Sequence, residues 1–583
     1  MQPARLFLIT ATAALVLTAG VVAQRPTAAG TGTLSGTVTA DGGEVRALRV
    51  KARNTSTRVA YTVFTVKGRY QILNLPAGPY DVQVVEEAFD SPVLKVQLGD
   101  RQTQTANVAV KVKAAFARGA GNAGSIAQTS YGATPQDKAD LSQVELVDFD
   151  TLYPPSPARD LMVQHCFPCH GVSGWHGRRL NEVGWRRVVN RMFAKDGRVA
   201  NMAVGVPQVP YTRVSEQQKE EIIKYLTATF GPGSKARDLK TDPLVRDEQA
   251  LSTALYVQYE LKRSVADRKF ANGLAPVLGG HSAFASLANP GVVYISGNSS
   301  NSILRVDTRD PNYDTRTKEF WIDNPGNVNT TPHGIVEVNG KIWFTELAGD
   351  RISALDPNTG QFQRYRIPTE GGGPHSLWND SKGNFWFTYF AAAGKIGRFD
   401  SKTQQVREYD FPGFSGYGLV VDKQDRAWAV GLNTPVVYGY DPSTDKWSTY
   451  KLTSPARRVA IDSKGMVWAC EYFGNRIAMI DPASGKVTEY DLPLKWGNPY
   501  DLWPDAEDNI WVENAVYNSL VKFDPRTARW TYVPFPDLGA HTPKLDRDKE
   551  GTLWFTLGGS PKGLAAFKPK GNVPSGSAPT AAQ

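Results

Sequence analysis

The stretch Lys341–Pro368, KIWFTELAGDRISALDPNTGQFQRYRIP, decides how the C-terminal half of the chain is read. An apolar run centred on Trp343 gives way to a polar turn and then to a second run ending in Asp356 (RISALD). A Pro-Asn-Thr-Gly turn leads into a third, alternating run (FQRYRIP). Runs with a period of two have one buried and one wet face, as antiparallel strands joined by tight turns require. A short apolar run before Trp343, starting at Pro332, adds an inner strand. The unit recurs through residues 250–570. Its marker aromatics are Tyr294, Trp343, Trp386, Trp428, Trp468, Trp511 and Trp554, spaced 49, 43, 42, 40, 43 and 43 residues apart. Four strands per unit and seven units predict a seven-bladed β-propeller. The last unit ends after GLAAFKP without an outer strand, whereas Leu255–Leu261 (LYVQYEL) has the outer-strand pattern upstream of the first unit. That segment is expected to complete the seventh blade and remove an open edge.

The rest of the 583 residues divides by composition. Residues 1–23 read as an export signal: Arg5, an apolar run from Leu6 to Val22, and small residues before a cut after Ala23. A periplasmic or secreted location follows, and no later stretch is long and apolar enough for a stable membrane span. Residues 32–113 alternate in short runs and predict a small β-sandwich. Residues 114–145, rich in Ala, Gly, Ser, Thr and Gln, read as a linker. Residues 146–235 have helical spacing, including EVGWRRVVNRMF from Glu182, and a capping box at Ser215 and Gln218 opening EIIKYLTATF. Residues 571–583 predict a disordered tail. The fold class is therefore multidomain and mainly β, with a small all-α segment between two β domains. The formal charge of +9 is scattered without a basic run, which argues against nucleic-acid binding. Three cysteines exclude a disulfide scaffold.

Two of those cysteines stand in Cys166-Phe-Pro-Cys169-His170. Two thiols two residues apart beside an imidazole suit thioether attachment of one haem c, with His170 as an iron ligand. A zinc site would need two further ligands, and only His165 and His176 lie nearby. The segments CFPCHG, GWRRVVNRM and EIIKYLTATFG resemble small class I cytochromes c. The resemblance implies a methionine sixth ligand, Met192 on the middle helix or, as the alternative, Met202 in the loop after it. It also implies electron transfer to a periplasmic redox partner. The stretch GRYQI from Gly68 and LPAGPYDV from Leu75 resembles the carboxypeptidase regulatory-like family, which implies a prealbumin-like sandwich used as a spacer or docking module.

Aligned on the marker aromatics, one inner-strand position reads His281, His333, His375, Tyr417, Arg457, Tyr500 and His541. These include every histidine outside the haem segment, and they fall in contiguous blades around a closed ring. A second alignment, three residues past each aromatic, gives Gly297, Glu346, Tyr389, Gly431, Glu471, Asn514 and Leu557. Histidines with Glu346 or Glu471 across a channel can bind a divalent or transition metal, act as acid and base, or bind a small-molecule or polymer ligand. Lone Cys470 reads as a buried small hydrophobe. The repeats resemble the virginiamycin B lyase (streptogramin lyase) family at PHGI from Pro332, IWFTE from Ile342, PHSL from Pro374 and WFT from Trp386. That resemblance implies a seven-bladed propeller that opens a cyclic ester using a channel histidine and glutamate-held magnesium, with His333 and Glu346 at family positions. The family's other metal glutamate is replaced here by Thr331, Gly373 and Gly539, so the resemblance bears on the fold more than on the reaction. The expectation is a mono-haem electron-transfer protein whose propeller binds a substrate or partner. A lyase or hydrolase in the propeller and a non-catalytic scaffold are the alternatives.

Overall fold

Strand pairing follows the repeat. A computed structural model describes residues 31–113, 145–167, 179–192, 214–235, 237–240, 244–262, 268–271, 279–390, 394–413, 415–432, 434–514, 517–537, 542, 544–557 and 563–573. The chain is mainly β, with an N-terminal β domain and a propeller-like C-terminal region of repeated four-stranded sheets. Six antiparallel sheets run in chain order from Ala283–Trp321 to Pro499–Pro534. The seventh contains Leu545–Arg547, Leu553–Leu557 and Gly563–Lys568. The first strands of neighbouring sheets touch all the way round, and the seventh touches the first, so the ring is closed.

The missing outer strand comes from upstream. Leu255–Glu260 pairs antiparallel with Gly563–Lys568, from Leu255 opposite Lys568 to Glu260 opposite Gly563. Its other edge is also paired, to Val59–Phe64 of the N-terminal domain. The seventh sheet and one sheet of the N-terminal domain are thus a single eight-stranded sheet. Charged groups seal this junction. Arg49 and Arg246 both grip the buried carboxylate of Glu86, at 2.9 and 2.8 Å, and Arg49 also donates to the Phe535 carbonyl at 2.7 Å. Arg53 and Arg58 pair with Glu260 at 2.7 and 2.9 Å, while Lys51 and Gln258 both bind Asp537. The expected tail is partly ordered, because Asn572 bonds the backbone of Leu73 and Gln71 at 3.0 and 2.7 Å. The amide side chains of Asn572 and Asn74 replace the sheet partners that a tail lacks. Residues 574–583 lie outside the described residues.

In four of the sheets a buried aspartate sets the distance between the turn and its tryptophan. In the fifth sheet one oxygen of Asp462 accepts the amides of Lys464 and Met466 at 3.0 and 2.9 Å, while the other accepts the Trp468 indole at 2.9 Å. Asp422, Asp505 and Asp548 hold Trp428, Trp511 and Trp554 at 2.8, 3.0 and 2.7 Å. The same carboxylate therefore closes the turn and satisfies a buried N–H that would otherwise be left unpaired.

The helical segment is seated on the propeller-like region. Helix Pro157–His165, capped by Ser156, ends at Cys166. Helix Glu182–Met192 and helix Glu216–Phe230 follow, the latter with both capping-box bonds between Ser215 and Gln218. Glu145–Val147 pairs in parallel with Arg237–Leu239 and ties the two ends of the segment together. Met162, Phe167, Trp185, Ile222, Leu226 and Phe230 share one core with Leu492, Leu502 and Val512 of the fifth and sixth sheets and the loop between them. Phe149 stacks on Trp496 with ring centres 4.4 Å apart.

Two measurements check this architecture. Asp462→Ala is expected to lower stability by about 2–4 kcal/mol in urea unfolding, since a buried charged acceptor loses three donors; a change below about 0.5 kcal/mol, ordinary for a surface site, contradicts the role. Burial alone would raise the Glu86 carboxyl, but Arg246 and Arg49 bring it from the ordinary 4.5 down to about 2. A depressed carboxyl contributes stability above its unfolded pKa and loses it as pH falls through the folded one. Between pH 4.5 and 2 the wild type should therefore lose more stability than Glu86→Gln, which is weaker at pH 7 but flatter; parallel profiles would contradict it.

Candidate functional site

The first strands bulge where the channel residues sit. Register shifts separate Pro332 from Ile335, Pro374 from Leu377, Gly416 from Leu419 and Pro499 from Leu502. His333, His375, Tyr417 and Tyr500 lie inside these four bulges. A bulge leaves one residue unpaired and re-aims its side chain, which accounts for four ring positions turned out of the sheet pattern. Threonines on the second strands tie the bulges of the second and third sheets to the next sheet, and a third spans the ring closure. Thr345 accepts the Gly334 amide at 2.9 Å and donates to the His375 carbonyl at 2.8 Å. Thr388 accepts the Ser376 amide at 3.2 Å and donates to the Tyr417 carbonyl at 3.0 Å. Thr556 donates to the Gly280 carbonyl at 3.0 Å across the ring closure.

Six of the seven aligned residues come together. The rings of His281 and His333 are 3.7 Å apart, those of His333 and His375 3.9 Å, and those of His375 and Tyr417 4.1 Å. The Tyr417 and Tyr500 hydroxyls are 2.6 Å apart. The Arg457 guanidinium lies 4.4 Å from the Tyr500 ring and 3.9 Å from the Tyr472 ring. Burial, with the charges of Arg458 and Lys544, holds His333 well below the usual imidazole range; burial, His333, Arg458 and His281 do the same for His375. Both rings are neutral at pH 7. His541 lies outside the described residues. Its alignment also needs correction: Phe284 stands opposite Tyr294 in the first sheet and Asp546 opposite Trp554 in the seventh. The turn is two residues shorter in the seventh sheet, so counting from the aromatic runs two residues off, and Lys544 is the residue in line with Ser282, Ser376, Arg458 and Asp501.

The second aligned set does not join the channel. Glu346, fully buried, turns away to its own third and fourth strands, where Ser353 donates at 2.5 Å and Arg364 at 2.7 Å. Tyr389 donates to Glu408 of its outer strand at 2.7 Å. Glu471 accepts the Ser454 amide at 2.7 Å and faces Glu489 of its outer strand. The small residues Ser353, Gly397 and Ala478 on the third strands open a diagonal path for all three. Among the described residues no three His, Cys, Asp or Glu side chains converge as metal ligands would. Cys470 is fully buried, and burial and Asp501 push its thiol up, which keeps it protonated.

The sequence reading stopped at one residue per blade and missed Arg458. Its guanidinium reaches across the channel to the Ser376 hydroxyl at 2.8 Å and lies 4.8 Å over the Tyr417 ring. The Arg-Arg doublet at the fifth blade's aligned position was the available signal.

The helical segment's end of the site is partly described. Cys166 is a buried thiol at the C-terminal end of its helix. Cys169, His170, His176 and Met202 lie outside the described residues, as does the side chain of Met192. His165 precedes Cys166, and its buried Nδ1 has no hydrogen-bond partner among the described residues.

Sequence profiles of two families match the chain: the virginiamycin B lyase family over residues 260–438 and the carboxypeptidase regulatory-like domain over residues 33–111. The propeller-like region is thus similar to virginiamycin B lyases, and the N-terminal domain to carboxypeptidase regulatory-like domains. No curated protein matches the chain. Among solved structures, a streptogramin B lyase shares 21% identity over 54% of this chain and 97% of its own, with a TM-score of 0.45. The virginiamycin B lyase of Staphylococcus aureus shares 20% over 50% and 94%, with a TM-score of 0.44. The hydrazine synthase of Kuenenia stuttgartiensis shares 14% over 50% and 95%, with a TM-score of 0.41. Likenesses at this level say nothing about the reaction.

Burial and the charge of Glu489 push the Glu471 carboxyl up to about 7. A raised carboxyl keeps its proton in the folded chain while the unfolded chain loses it, so stability falls as pH rises from 4.5 to 7. Glu471→Gln is expected to remove that slope, matching the wild type at pH 5 and exceeding it in thermal stability at pH 8. A lower stability at pH 8 would contradict a protonated Glu471.

Proposed function

We propose that this chain is an exported c-type electron-transfer protein. In this reading the propeller's channel receives a substrate or partner, and a haem on the helical segment passes electrons to a periplasmic redox partner. The observation that carries the reading is that the ring beside the attachment motif packs against Phe473, whose neighbour in the chain, Tyr472, faces the channel. Phe167, next to Cys166, lies 6.2 Å from Phe473. Its neighbour Tyr472 lies 5.7 Å from Tyr500, and Tyr500 meets Tyr417 and the histidine stack.

The described residues fit a haem. A buried thiol closes a capped helix, the helix packs on Glu216–Phe230 within a core of aromatic and branched side chains, and the preceding residue, His165, has a buried ring nitrogen with no hydrogen-bond partner among the described residues. Cys166 and Cys169 would hold the group through thioethers, His170 would be one axial ligand, and Met192 or Met202 the other. Bound there, haem supplies one-electron transfer. The protein's part is to fix the segment on the fifth and sixth sheets and exclude water with Phe167, Tyr153 and Phe230. The lyase alternative would place a metal on Glu346, whose carboxylate is occupied by Arg364 and Ser353.

Produced with an export and haem-maturation system, the chain is expected to retain haem through denaturing electrophoresis and to give the pyridine haemochrome of a thioether-linked haem. Of Met192→Leu and Met202→Leu, one should abolish the methionine-to-iron charge-transfer band and lower the reduction potential while the haem stays attached. Zinc in place of haem, with no haem absorbance, would overturn the reading.

A further inference from the structure

The channel's cationic side holds donors with no acceptor. Arg458 is 5% exposed. Its Nη1 donates to Ser376 at 2.8 Å, but its Nε and Nη2 have no hydrogen-bond partner among the described residues. A buried guanidinium with half its fork unpaired is costly unless something completes it. Lys544 lies in line with Arg458 and is close enough for the two charges to depress each other's neighbour His333. His333 adds a buried imidazole whose ring also meets the His375 backbone. The two carboxylates of the same cluster are already engaged: Asp501 accepts the Leu545 amide at 2.7 Å, and Asp546 accepts the Ala285 amide at 2.9 Å. Burial pushes both carboxyls up, Asp546 to about 6, while the charges of Arg458 and Lys544 pull Asp501, and that of Lys544 pulls Asp546, the other way. Two cations, a hydroxyl and a neutral imidazole around one side of a channel repel a metal ion and attract an anion.

We infer that the channel binds a small oxyanion, a carboxylate or phosphate group, held side-on by Nε and Nη2 of Arg458 with Lys544 and His333 around it. The two free N–H groups lie in the guanidinium plane along one edge, the spacing that two oxygens of one oxyanion match. Ser376 fixes the guanidinium from its other side, and the Tyr417 ring supports its face. Sheets one to three carry the histidine stack and fall within the virginiamycin B lyase match, whereas Arg458 and Lys544 lie beyond it. The anion site deepens the reading of the channel as a binding site and does not depend on haem.

The test uses the full-length chain with acetate, inorganic phosphate and, as the neutral control, acetamide, at constant ionic strength set with chloride. Calorimetric titration and the thermal unfolding midpoint are the readouts. Acetate or phosphate, or both, should bind and raise the midpoint, acetamide should not, and the effective anion identifies the group. Arg458→Gln and Lys544→Gln should each weaken binding about tenfold or more. Lys544→Gln keeps the test valid if Arg458→Gln fails to fold. Absence of binding by both anions, or binding unchanged in the folded variants, overturns the inference. The haem spectrum recorded on the same samples separates failure here from failure of the electron-transfer reading.

Discussion

The arrangement depends on one six-residue strand, Leu255–Glu260, bonded along both edges. On one side it closes the ring of sheets. On the other it carries the N-terminal domain as an extension of the seventh sheet. Left unpaired on either edge, it would present a row of amides and carbonyls to any passing strand. Both edges are instead filled from within the chain, and buried or half-buried ion pairs at Glu86, Glu260 and Asp537 flank the seam. A closed ring cannot open gradually, so its inner strands hold their bulges and the channel side chains can stack at fixed distances.

Within that frame the channel divides into two chemistries. Sheets one to four contribute stacked neutral histidines and Tyr417, rings that donate little charge. Sheets five to seven contribute Arg457, Arg458 and Lys544 with engaged carboxylates beneath them. The helical segment packs against sheets five and six, where Phe167 meets Phe473, and the next residue back along the chain, Tyr472, meets Tyr500 of the channel. Binding and electron transfer would thus share one set of aromatic side chains.

The fold was largely legible in the sequence because its period is enforced by chemistry at particular residues. Asp462 and Trp468, and their equivalents, must stay a turn apart to share a hydrogen bond, and Thr345 must follow Trp343 to bridge two sheets. The closing strand was legible from an unfilled place in the last unit. The docking of Val59–Phe64 onto it was not, since edge pairing leaves no periodic trace. The channel ring at His281 through Tyr500 was found by alignment, but Glu346, Tyr389 and Glu471 were assigned to it because counting along a strand does not tell which neighbour a side chain meets. Their destination is set by small residues on the next strand, Ser353, Gly397 and Ala478. His541 was misaligned by a two-residue difference in turn length, and Arg458 was hidden beside Arg457.

The electron-transfer reading stands or falls on a covalent group at Cys166 and Cys169. Intact mass spectrometry of the exported protein, followed by peptide mapping, tests this most directly. The account predicts a chain beginning after Ala23 with the mass of one added haem, located on the peptide that contains both cysteines. A mature chain of unmodified mass, with both thiols open to alkylation, would contradict it.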